Sequence, residues 1–440
     1  MRSPDTLPIE TILEISSYLS FSQKSKLSRT CKRINALIEP QIWTDIELHG
    51  DGYHETRDQI KQPPPFKSPS DRVYIGRYRG GWRPERLSPL NILRQLLETD
   101  QDRVRKVAGR VRSLCTVISA GDKVWDVLPY FSNLEALELY ARWDKIDQVT
   151  PEVDHPPLAC LRFAKLFGYI PQAGARWVLR SGPTLERLEL GMLDRPLMTP
   201  LYPDRDPAPL PEEKVGGGDD YSDYGSLSAD HTFPRPLGGF LPEEGISMPI
   251  LRHLFLCSSA HVEDYPLDGA WTAWSSRAEE ASCKDWMGIL MASRRTLQTL
   301  VLEHKPTLPD IELDTWRESD CLRHFHKNND GTVSSRLAEV LEAVGVHKVE
   351  EFPELTRVYF YGIIVSKNLD SSPSEERPVG RVMKRLGQRG VRCEARRGQW
   401  SIFEDDGWVD WADWDACSDL SSISECADPI ILWDEVIASV

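Results

Sequence analysis

The apolar residues near the start of the chain follow a helical pattern that is too wide for a single neighbouring surface. At about 100° per residue, six apolar side chains spread around roughly two thirds of one helix: Ile9, Ile12, Leu13, Ile15, Tyr18 and Leu19. Pro8 and Glu10 favour a helix start at Leu7-Pro8, because Pro tolerates a first helical position and a first-turn carboxylate suits the helix dipole. We expect this helix to contact both its own small module and a partner protein.

A basic segment follows, and its apolar residues predict two further short helices. Leu27, Cys31, Ile34, Leu37 and Ile38 recur at three- and four-residue steps. Pro40 disfavours helix at Glu39, and the apolar residues after it precede Gly50, which predicts a short extended exit: Ile42, Trp43, Ile46 and Leu48. The simpler alternative is an N-terminal helical cap that packs only on the domain behind it.

The same residues resemble an F-box, particularly the variety found in large fungal families. The matching positions are Leu7-Pro8-x-Glu10, Ile12-Leu13-x-Ile15, Tyr18-Leu19-Ser20, Leu27-Ser28-Arg29-x-Cys31, Arg33 and Trp43. The resemblance covers residues 5–48 and implies a three-helix module that binds a Skp-type adaptor of cullin–RING ubiquitin ligases. One departure is the pair Lys24 and Ser25, where the family often has two apolar residues.

This resemblance implies a set of adaptor-binding residues, most of which belong to the apolar pattern. The set is Leu7, Pro8, Ile9, Ile12, Leu13, Ile15, Leu19, Leu27, Cys31, Ile34, Leu37 and Trp43.

Residues 49–110 are predicted to be a connector that ends in a helix over Pro89–Thr99. The basic stretch from Arg103 to Arg112 alternates with valines, which favours an amphipathic edge leading into a strand. A nucleic-acid patch is the less favoured alternative, because the net charge of the chain is −15.

A motif of three spaced apolar residues, LxxLxL, which we call the phrase, then recurs along residues 111–397. The first two intervals between copies are 24 and 27 residues, which is the length of a leucine-rich repeat. Residues 192–247 interrupt the series, and their Pro, Gly and acidic content predicts a disordered insertion. The copies begin at Leu134, Leu158, Leu185, Leu251, Leu297 and Leu355.

Helical patterns between the copies predict the second layer of the body. The candidate helices are 173–180, 283–294, 335–344 and 378–387, and Val391-x-Cys393-x-Ala395 is predicted to be a last strand. The predicted fold class is therefore α/β: a small N-terminal three-helix F-box, followed by an irregular leucine-rich-repeat-like α/β solenoid with a mainly parallel sheet. The alternative is a single α/β domain whose strands share the phrase.

Residues between the inward leucines are predicted to line the other face of the sheet. They form a mixed surface rich in Tyr and Arg, which are favoured anchors of protein interfaces. The candidate substrate-binding residues on it are Tyr140, Arg162, Arg187, His253, Phe255, Arg357, Tyr359 and Tyr361. The alternative is that the aromatic members are covered by the insertion or by the C-terminal tail.

Residues 398–440 form an acidic, Trp-rich tail. From Gln399 onward there are eleven acidic residues and no Lys or Arg. The tail either docks back on the body or acts as an interaction segment. The chain shows no signal-peptide progression and no apolar run long enough to span a membrane, so we expect the cytoplasm or the nucleus.

The sequence offers little sign of catalysis. The nearest cluster is Cys321-x-x-His324-x-His326, which lacks a second ligand pair at zinc-like spacing. We therefore predict no catalytic, metal-binding or cofactor-binding residues. The predicted function is a non-enzymatic substrate receptor of a Skp–cullin–F-box ubiquitin ligase, which recruits a protein through the repeat body and binds neither nucleic acid nor membrane. The alternatives are a Skp-bound scaffold whose partner is not degraded, and a cryptic metal-dependent hydrolase at Cys321.

Overall fold

The computed structural model describes fifteen parts of the chain, and all structural statements concern these parts. They are residues 7–19, 21–48, 89–119, 124–142, 155–198, 232–242, 244–259, 270–305, 307–309, 332–363, 365, 374–396, 399–403, 409–413 and 431–432.

The N-terminal module consists of three helices: α1 (Ile9–Ser17), α2 (Phe21–Ser28) and α3 (Lys32–Ile42). Their small core contains Ile12, Ile34 and Ile38. Contrary to the expected end at Glu39, α3 continues through Pro40 to Ile42. Proline removes one N–H from the helical ladder but keeps its carbonyl, which accepts a hydrogen bond from Thr44 Oγ1 at 3.0 Å.

The predicted extended exit is a strand of the large sheet. β1 (Asp45–Leu48) pairs in parallel with β2 (Ser113–Ser119), and the Thr44 carbonyl accepts the backbone N–H groups of Arg112 and Ser113 at 2.7 and 3.1 Å. Ile46 belongs to the main core of the body, and Glu39 of α3 forms an ion pair with Arg110. The N-terminal module is thus joined to the body through a shared sheet and core.

Two buried isoleucines, one in the body core and one in the core of the N-terminal module, should affect stability differently when they are truncated. Ile46→Ala and Ile34→Ala each remove similar buried volume, at a cost of about 2–5 kcal/mol. We expect Ile46→Ala to lower the unfolding midpoint of the body, because Ile46 packs in the main core. Ile34→Ala should loosen only the N-terminal module, because Ile34 packs in the separate small core. Limited proteolysis combined with chemical denaturation distinguishes the two; equal effects on the body would contradict this assignment.

The remaining elements alternate between helices and strands. The helices are α4 (Pro89–Thr99), α5 (Gln101–Ala108), α6 (Val124–Val127), α7 (Gln172–Leu179), α8 (Ala270–Ser293), α9 (Thr332–Ala343) and α10 (Pro378–Gln388). The strands are β3 (Ala136–Arg142), β4 (Phe163–Gly168), β5 (Arg187–Met198), β6 (Thr232–Pro236), β7 (His253–Ser259), β8 (Thr299–Lys305), β9 (Thr307–Pro309), β10 (Arg357–Tyr361), β11 (Arg392–Arg396), β12 (Gln399–Phe403), β13 (Val409–Asp413) and β14 (Ile431–Leu432).

Nine strands of the described chain form one parallel sheet in the order β1-β2-β3-β4-β5-β7-β8-β10-β11. Each strand lies beside the next parallel strand along the chain, as expected when one strand is added per turn of a solenoid. The phrase leucines occupy equivalent positions, since Leu188, Leu254 and Leu300 pair in register and all are fully buried. The predicted α/β solenoid with a mainly parallel sheet is confirmed.

The second copy of the phrase is displaced by three residues from its predicted position. β3 pairs with β4 so that Leu137 lies beside Ala164 and Leu139 beside Leu166. The equivalent copy is therefore Leu161-x-x-Ala164-x-Leu166, and Leu158 precedes it. The sequence predicted the wrong register for two reasons. Ala164 occupies a position that is leucine in other copies, and Leu158, Leu161 and Phe163 have the same spacing as the phrase.

Other boundaries also differ from the pattern-based expectations. The valine alternation before β2 belongs to α5, where Val104, Val107 and Ala108 are buried on one helical face. The helix predicted over 283–294 begins earlier, at Ala270. The region 192–247, predicted to be a disordered insertion, contributes strands at both ends, because the end of β5 pairs with β6 in an antiparallel arrangement. Hydrogen bonds between non-consecutive residues, which a local pattern does not show, produce these strands.

The C-terminal residues also contribute strands. β12 pairs with β13 and with β9 in a second, three-stranded sheet, and β14 lies antiparallel to the edge strand β11. β12 comes within 8 Å (Cα–Cα) of β8 and β6. Trp400 and Trp411 of the acidic tail thus lie on adjacent strands. In the described ranges, every helix is too short or too polar to cross a bilayer.

Candidate functional site

The helix α1 buries the centre of its apolar arc and leaves both flanks accessible. Ile12 and Ser16 are buried at the centre, and Ser16 Oγ bonds to Gln41 of α3 at 2.6 Å. Ile15 and the C-cap residue Tyr18, three residues apart on one flank, are 43% and 82% exposed. Ile9 on the other flank is 44% exposed. Exposed apolar side chains concentrated on one short helix mark a surface for a partner.

The residues beneath this surface hold α1 in place. Arg33 of α3 donates a hydrogen bond to the Leu7 carbonyl at 3.0 Å, which ties the start of α1 to α3. Cys31 caps α3, because its sulfur accepts the Ile34 N–H at 3.4 Å. These contacts hold α1 against α3 and so fix the orientation of its two exposed flanks.

The predicted adaptor-binding residues divide into three groups by their positions. Pro8, Ile9 and Ile15 are exposed, and the half-buried Leu13 and Leu19 adjoin them. The second group packs in or against the small core of the module, and only Ile12 and Ile34 of it are fully buried: Leu7, Ile12, Leu27, Cys31, Ile34 and Leu37. Trp43 forms the third group, because it packs against the main core of the body.

Tyr18, the residue that caps the C-terminus of α1, was missing from the predicted set although it is the most exposed large apolar side chain of the N-terminal module. The signal was present, since Tyr18 lies in the same apolar arc as Ile15. Lys24, one of the two departures from the F-box pattern, is half-buried in α2.

Comparison with known families agrees with this geometry. Residues 4–49 match the family model described as F-box-like. The chain carries an F-box-like domain. F-box domains typically bind Skp-type adaptors, so the match indicates a Skp-binding adaptor role in ubiquitin ligase complexes. The matched residues are those of α1 to α3 and β1, about a tenth of the chain, and no curated protein matches the sequence.

The second face of the large sheet, opposite the phrase leucines, carries charged residues, most of which are deeply buried. One transverse row runs in register from Glu138 through Lys165, Glu189, Phe255, Val301 and Tyr359 to Glu394. Lys165 forms an ion pair with Glu138, and Arg187 Nε donates to Glu189 Oε1 at 2.7 Å. Lys305 Nζ lies 3.7 Å from a Glu303 oxygen. Burial of these charges is compatible with folding because each has an opposite charge beside it.

Aromatic rings complete this face. Phe167 stacks on Phe255 with ring centroids 5.8 Å apart, and the Lys165 ammonium lies 5.8 Å from the Phe167 centroid. Gly191 lies beside Phe167 in the next strand, where an added Cβ would come within 2.5 Å of the ring. Glycine at this position leaves the space through which the Phe167 ring reaches Phe255.

A second row, at the amino-terminal ends of the strands, is more accessible. It runs in register through Arg187, His253, Thr299, Arg357 and Arg392. His253 and Arg357 are half-buried, and the Arg392 side chain is 45% exposed. Burial and the neighbouring Arg187 and Arg252 lower the pKa of His253 to about 4, so its ring is neutral near pH 7.

The predicted substrate-binding residues are therefore not one accessible surface. Five of them are buried: Tyr140, Arg187, Phe255, Tyr359 and Tyr361. Only His253 and Arg357 combine the predicted sheet face with partial exposure. Arg162 lies before β4, outside the sheet, where its Nε donates to Glu186 Oε1 at 2.7 Å. Arg162 lies outside the sheet because the second copy of the phrase is displaced by three residues, and Lys165 occupies the sheet position that was assigned to Arg162.

A small cavity on the helical side of the sheet contains residue types that often serve in catalysis. Its volume is about 20 Å³, enough for about one water molecule. Cys283 lines the cavity, and its pKa is raised to about 12. Burial is the larger cause, and the negative charge of Glu279 is the next. A thiol with such a pKa is a poor nucleophile near neutral pH, because the thiolate is the reactive form. The polar lining comprises Ser258, Glu279, Ser282, Cys283, Glu303 and His304.

The described residues contain no group of three or more His, Cys, Asp and Glu side chains arranged to hold a metal ion. The Cys321, His324 and His326 cluster lies outside the described residues.

Proposed function

We propose that this protein is the substrate receptor of a Skp–cullin–F-box ubiquitin ligase. The observation that carries the proposal is the pair of exposed apolar flanks on α1 within the F-box-like domain. Burial of these exposed apolar side chains against a partner removes them from water, which lowers the free energy of the complex. The Skp-type adaptor would cover Ile9 on one flank and Ile15 with Tyr18 on the other, and would connect the chain to a cullin. The site of action would be the cytoplasm or the nucleus.

In this proposal the repeat body recruits a target protein and the chain performs no chemistry itself. Ubiquitin transfer would be promoted by proximity, since a target held near a ubiquitin-charged enzyme reacts at a raised effective concentration. The shared sheet of β1 and β2 supports this mechanism, because it links the adaptor-binding helices to the body without a flexible joint at residues 42–48. The high pKa of Cys283 disfavours this thiol as a nucleophile in the chain.

Co-expression with a Skp-type adaptor tests the proposal directly. The full chain and the adaptor should co-elute from size-exclusion chromatography as one complex. Leu7→Ala combined with Pro8→Ala should abolish the complex, because Leu7 packs against the small core and Pro8 precedes α1. If the wild-type chain and the adaptor elute separately, the proposal is wrong.

Degradation of the recruited protein requires a separate measurement. Partners captured by the full chain should accumulate in cells when the proteasome is inhibited, and this accumulation should depend on Leu7 and Pro8. Captured partners whose abundance is unchanged would indicate a Skp-bound scaffold.

A further inference from the structure

The end of the F-box-like domain has the spacing of the phrase. Trp43-x-x-Ile46-x-Leu48 places apolar residues at the first, fourth and sixth positions, as Leu134-x-x-Leu137-x-Leu139 does. Ile46 lies beside Leu114 in register, and Leu114 lies beside Leu137. All three residues are buried in the main core. β1 therefore takes the same place in the sheet as a strand of the repeat body.

A backbone contact marks the same repeat boundary without reference to the side chains. The Glu135 carbonyl, at the second position of its copy, accepts the N–H groups of Arg162 and Phe163 at 2.8 and 3.0 Å. The Thr44 carbonyl, also at a second position, accepts those of Arg112 and Ser113 at 2.7 and 3.1 Å. The same double contact recurs at the carbonyls of Arg112, Arg162, Glu186, Arg252 and Gln298. Thr44 is thus the first member of a series that continues through the body.

The burial of Trp43 is that of a residue in an end repeat. Trp43 is half-buried and packs against the main core, whereas Leu134, Leu185 and Leu251 at the same position of later copies are fully buried. In a solenoid each repeat contacts only its neighbours, so an end repeat has a neighbour on one side alone. The helix α3 leads directly into this copy, because Trp43 is its C-cap residue.

We propose that residues 43–48 are the first repeat of the solenoid, shared by the F-box-like domain and the body, and that the domain thereby caps the core of the body. Trp43 is then a core residue of the end repeat and not an adaptor contact. Without this repeat, β2 would be the edge strand and Leu114 would lose its neighbour Ile46. End repeats protect a solenoid core from water and from strand pairing between copies. The proposal is independent of the receptor function.

Hydrogen–deuterium exchange of the full chain, read at single-residue resolution, tests the assignment. The Arg112 and Ser113 amides should exchange within about tenfold of the rates of the Arg162 and Phe163 amides, which make the equivalent contact. Exchange of the Arg112 and Ser113 amides at the rate of an unstructured peptide would overturn the proposal, because a repeat of the solenoid protects these donors.

Trp43→Ala should raise exchange of the Arg112 and Ser113 amides at least about tenfold, because it removes core contacts of the repeat that supplies their acceptor. The matched control is Tyr18→Ala, since Tyr18 is an aromatic residue of the same domain that is 82% exposed. The control should change these rates less than about twofold. Unchanged exchange in Trp43→Ala would contradict the proposal.

Trp43→Leu guards the test against a general folding defect. It places the commonest residue of the phrase at the first position, so its exchange rates should lie closer to the wild type than those of Trp43→Ala. The Thr299 amide, in a distant repeat, should change less than about twofold in both variants, because repeats contact only their neighbours. Equal rates in the Leu and Ala variants, or an equal rise at Thr299, would count against a leucine-like position in an end repeat.

Affinity for a Skp-type adaptor, measured on the same variants, separates the two roles of the domain. Trp43→Ala should keep adaptor affinity within about threefold, whereas Tyr18→Ala should weaken it at least about tenfold. Loss of adaptor affinity in Trp43→Ala with unchanged exchange at Arg112 and Ser113 would make Trp43 an adaptor contact and overturn the proposal. If the wild-type chain binds no adaptor, the receptor function is wrong, and the exchange rates still decide the repeat assignment.

Discussion

Replacing Ile15 and Tyr18 with aspartate is expected to abolish adaptor binding without unfolding the chain. Both side chains are exposed on one flank of α1 and support no core, so their replacement leaves Ile12, Ile34 and Ile38 packed. In a complex they would be desolvated, and a buried carboxylate without a counter-charge is strongly unfavourable. Central apolar anchors contribute about 2 kcal/mol or more each, so the double variant should lose more than about 100-fold in affinity.

Titration of the purified chain with a Skp-type adaptor by calorimetry measures this loss. The matched control is Ile250→Asp, because Ile250 lies in the body and is 41% exposed, close to the 43% of Ile15. The control should bind as the wild type does. Near-wild-type affinity of the Ile15 and Tyr18 variant would place the adaptor elsewhere on the module, whereas a weakened Ile250 variant would indicate a nonspecific effect of added charge.

Glu138→Ala is expected to cause the largest loss of stability among single changes on the second sheet face. The variant removes the carboxylate that pairs with the largely buried Lys165 ammonium beside the Phe167 ring, and it leaves Glu189 of the next strand as the remaining carboxylate in the row. Breaking a buried ion pair by removing one partner costs about 3–5 kcal/mol. Arg162→Ala should cost less than about 1 kcal/mol, because the Arg162 side chain is largely exposed.

Urea denaturation at constant m-value provides the comparison. Replacing the pair together, with Glu138→Leu and Lys165→Met, should recover stability to within about 1–2 kcal/mol of the wild type, since no charge remains buried alone. If the double variant is nearly as stable as the wild type, the loss in Glu138→Ala comes from the charge of Lys165 and not from lost packing. If Glu138→Ala costs no more than Arg162→Ala, the assignment of Lys165 to the sheet row is contradicted.

Much of the fold was predictable because local patterns and tertiary contacts agree. The predicted helix over Pro89–Thr99 has the observed bounds, and the final strand at Val391 to Ala395 differs by one residue at each end. Both segments have one unambiguous buried face. The F-box-like helices were predictable for the same reason, because their apolar steps and the Leu7-Pro8 start point to one arrangement.

The candidate binding residues were less predictable because exposure is not a local property. The phrase places Tyr140, Phe255 and Tyr359 on the correct strands, but not whether that face is covered. The identity of the ion pairs depends on register, and one small residue, Ala164, was enough to conceal it. Tyr18 shows the converse, since its exposure on α1 follows only from the packing of α3 against Ile12 and Ser16.

The sequence by itself determined most of the helices and of the parallel strands, their repetition along the body and the F-box-like character of residues 5–48. These features depend on side-chain periodicity and on turn and cap residues, which act over a few positions. Tertiary structure decided the continuity of α3 with the sheet through β1, the pairing of Lys165 with Glu138, the partial burial of Arg357 and the exposure of Arg392. These features depend on which distant residues meet, because burial and pairing arise only when the strands assemble.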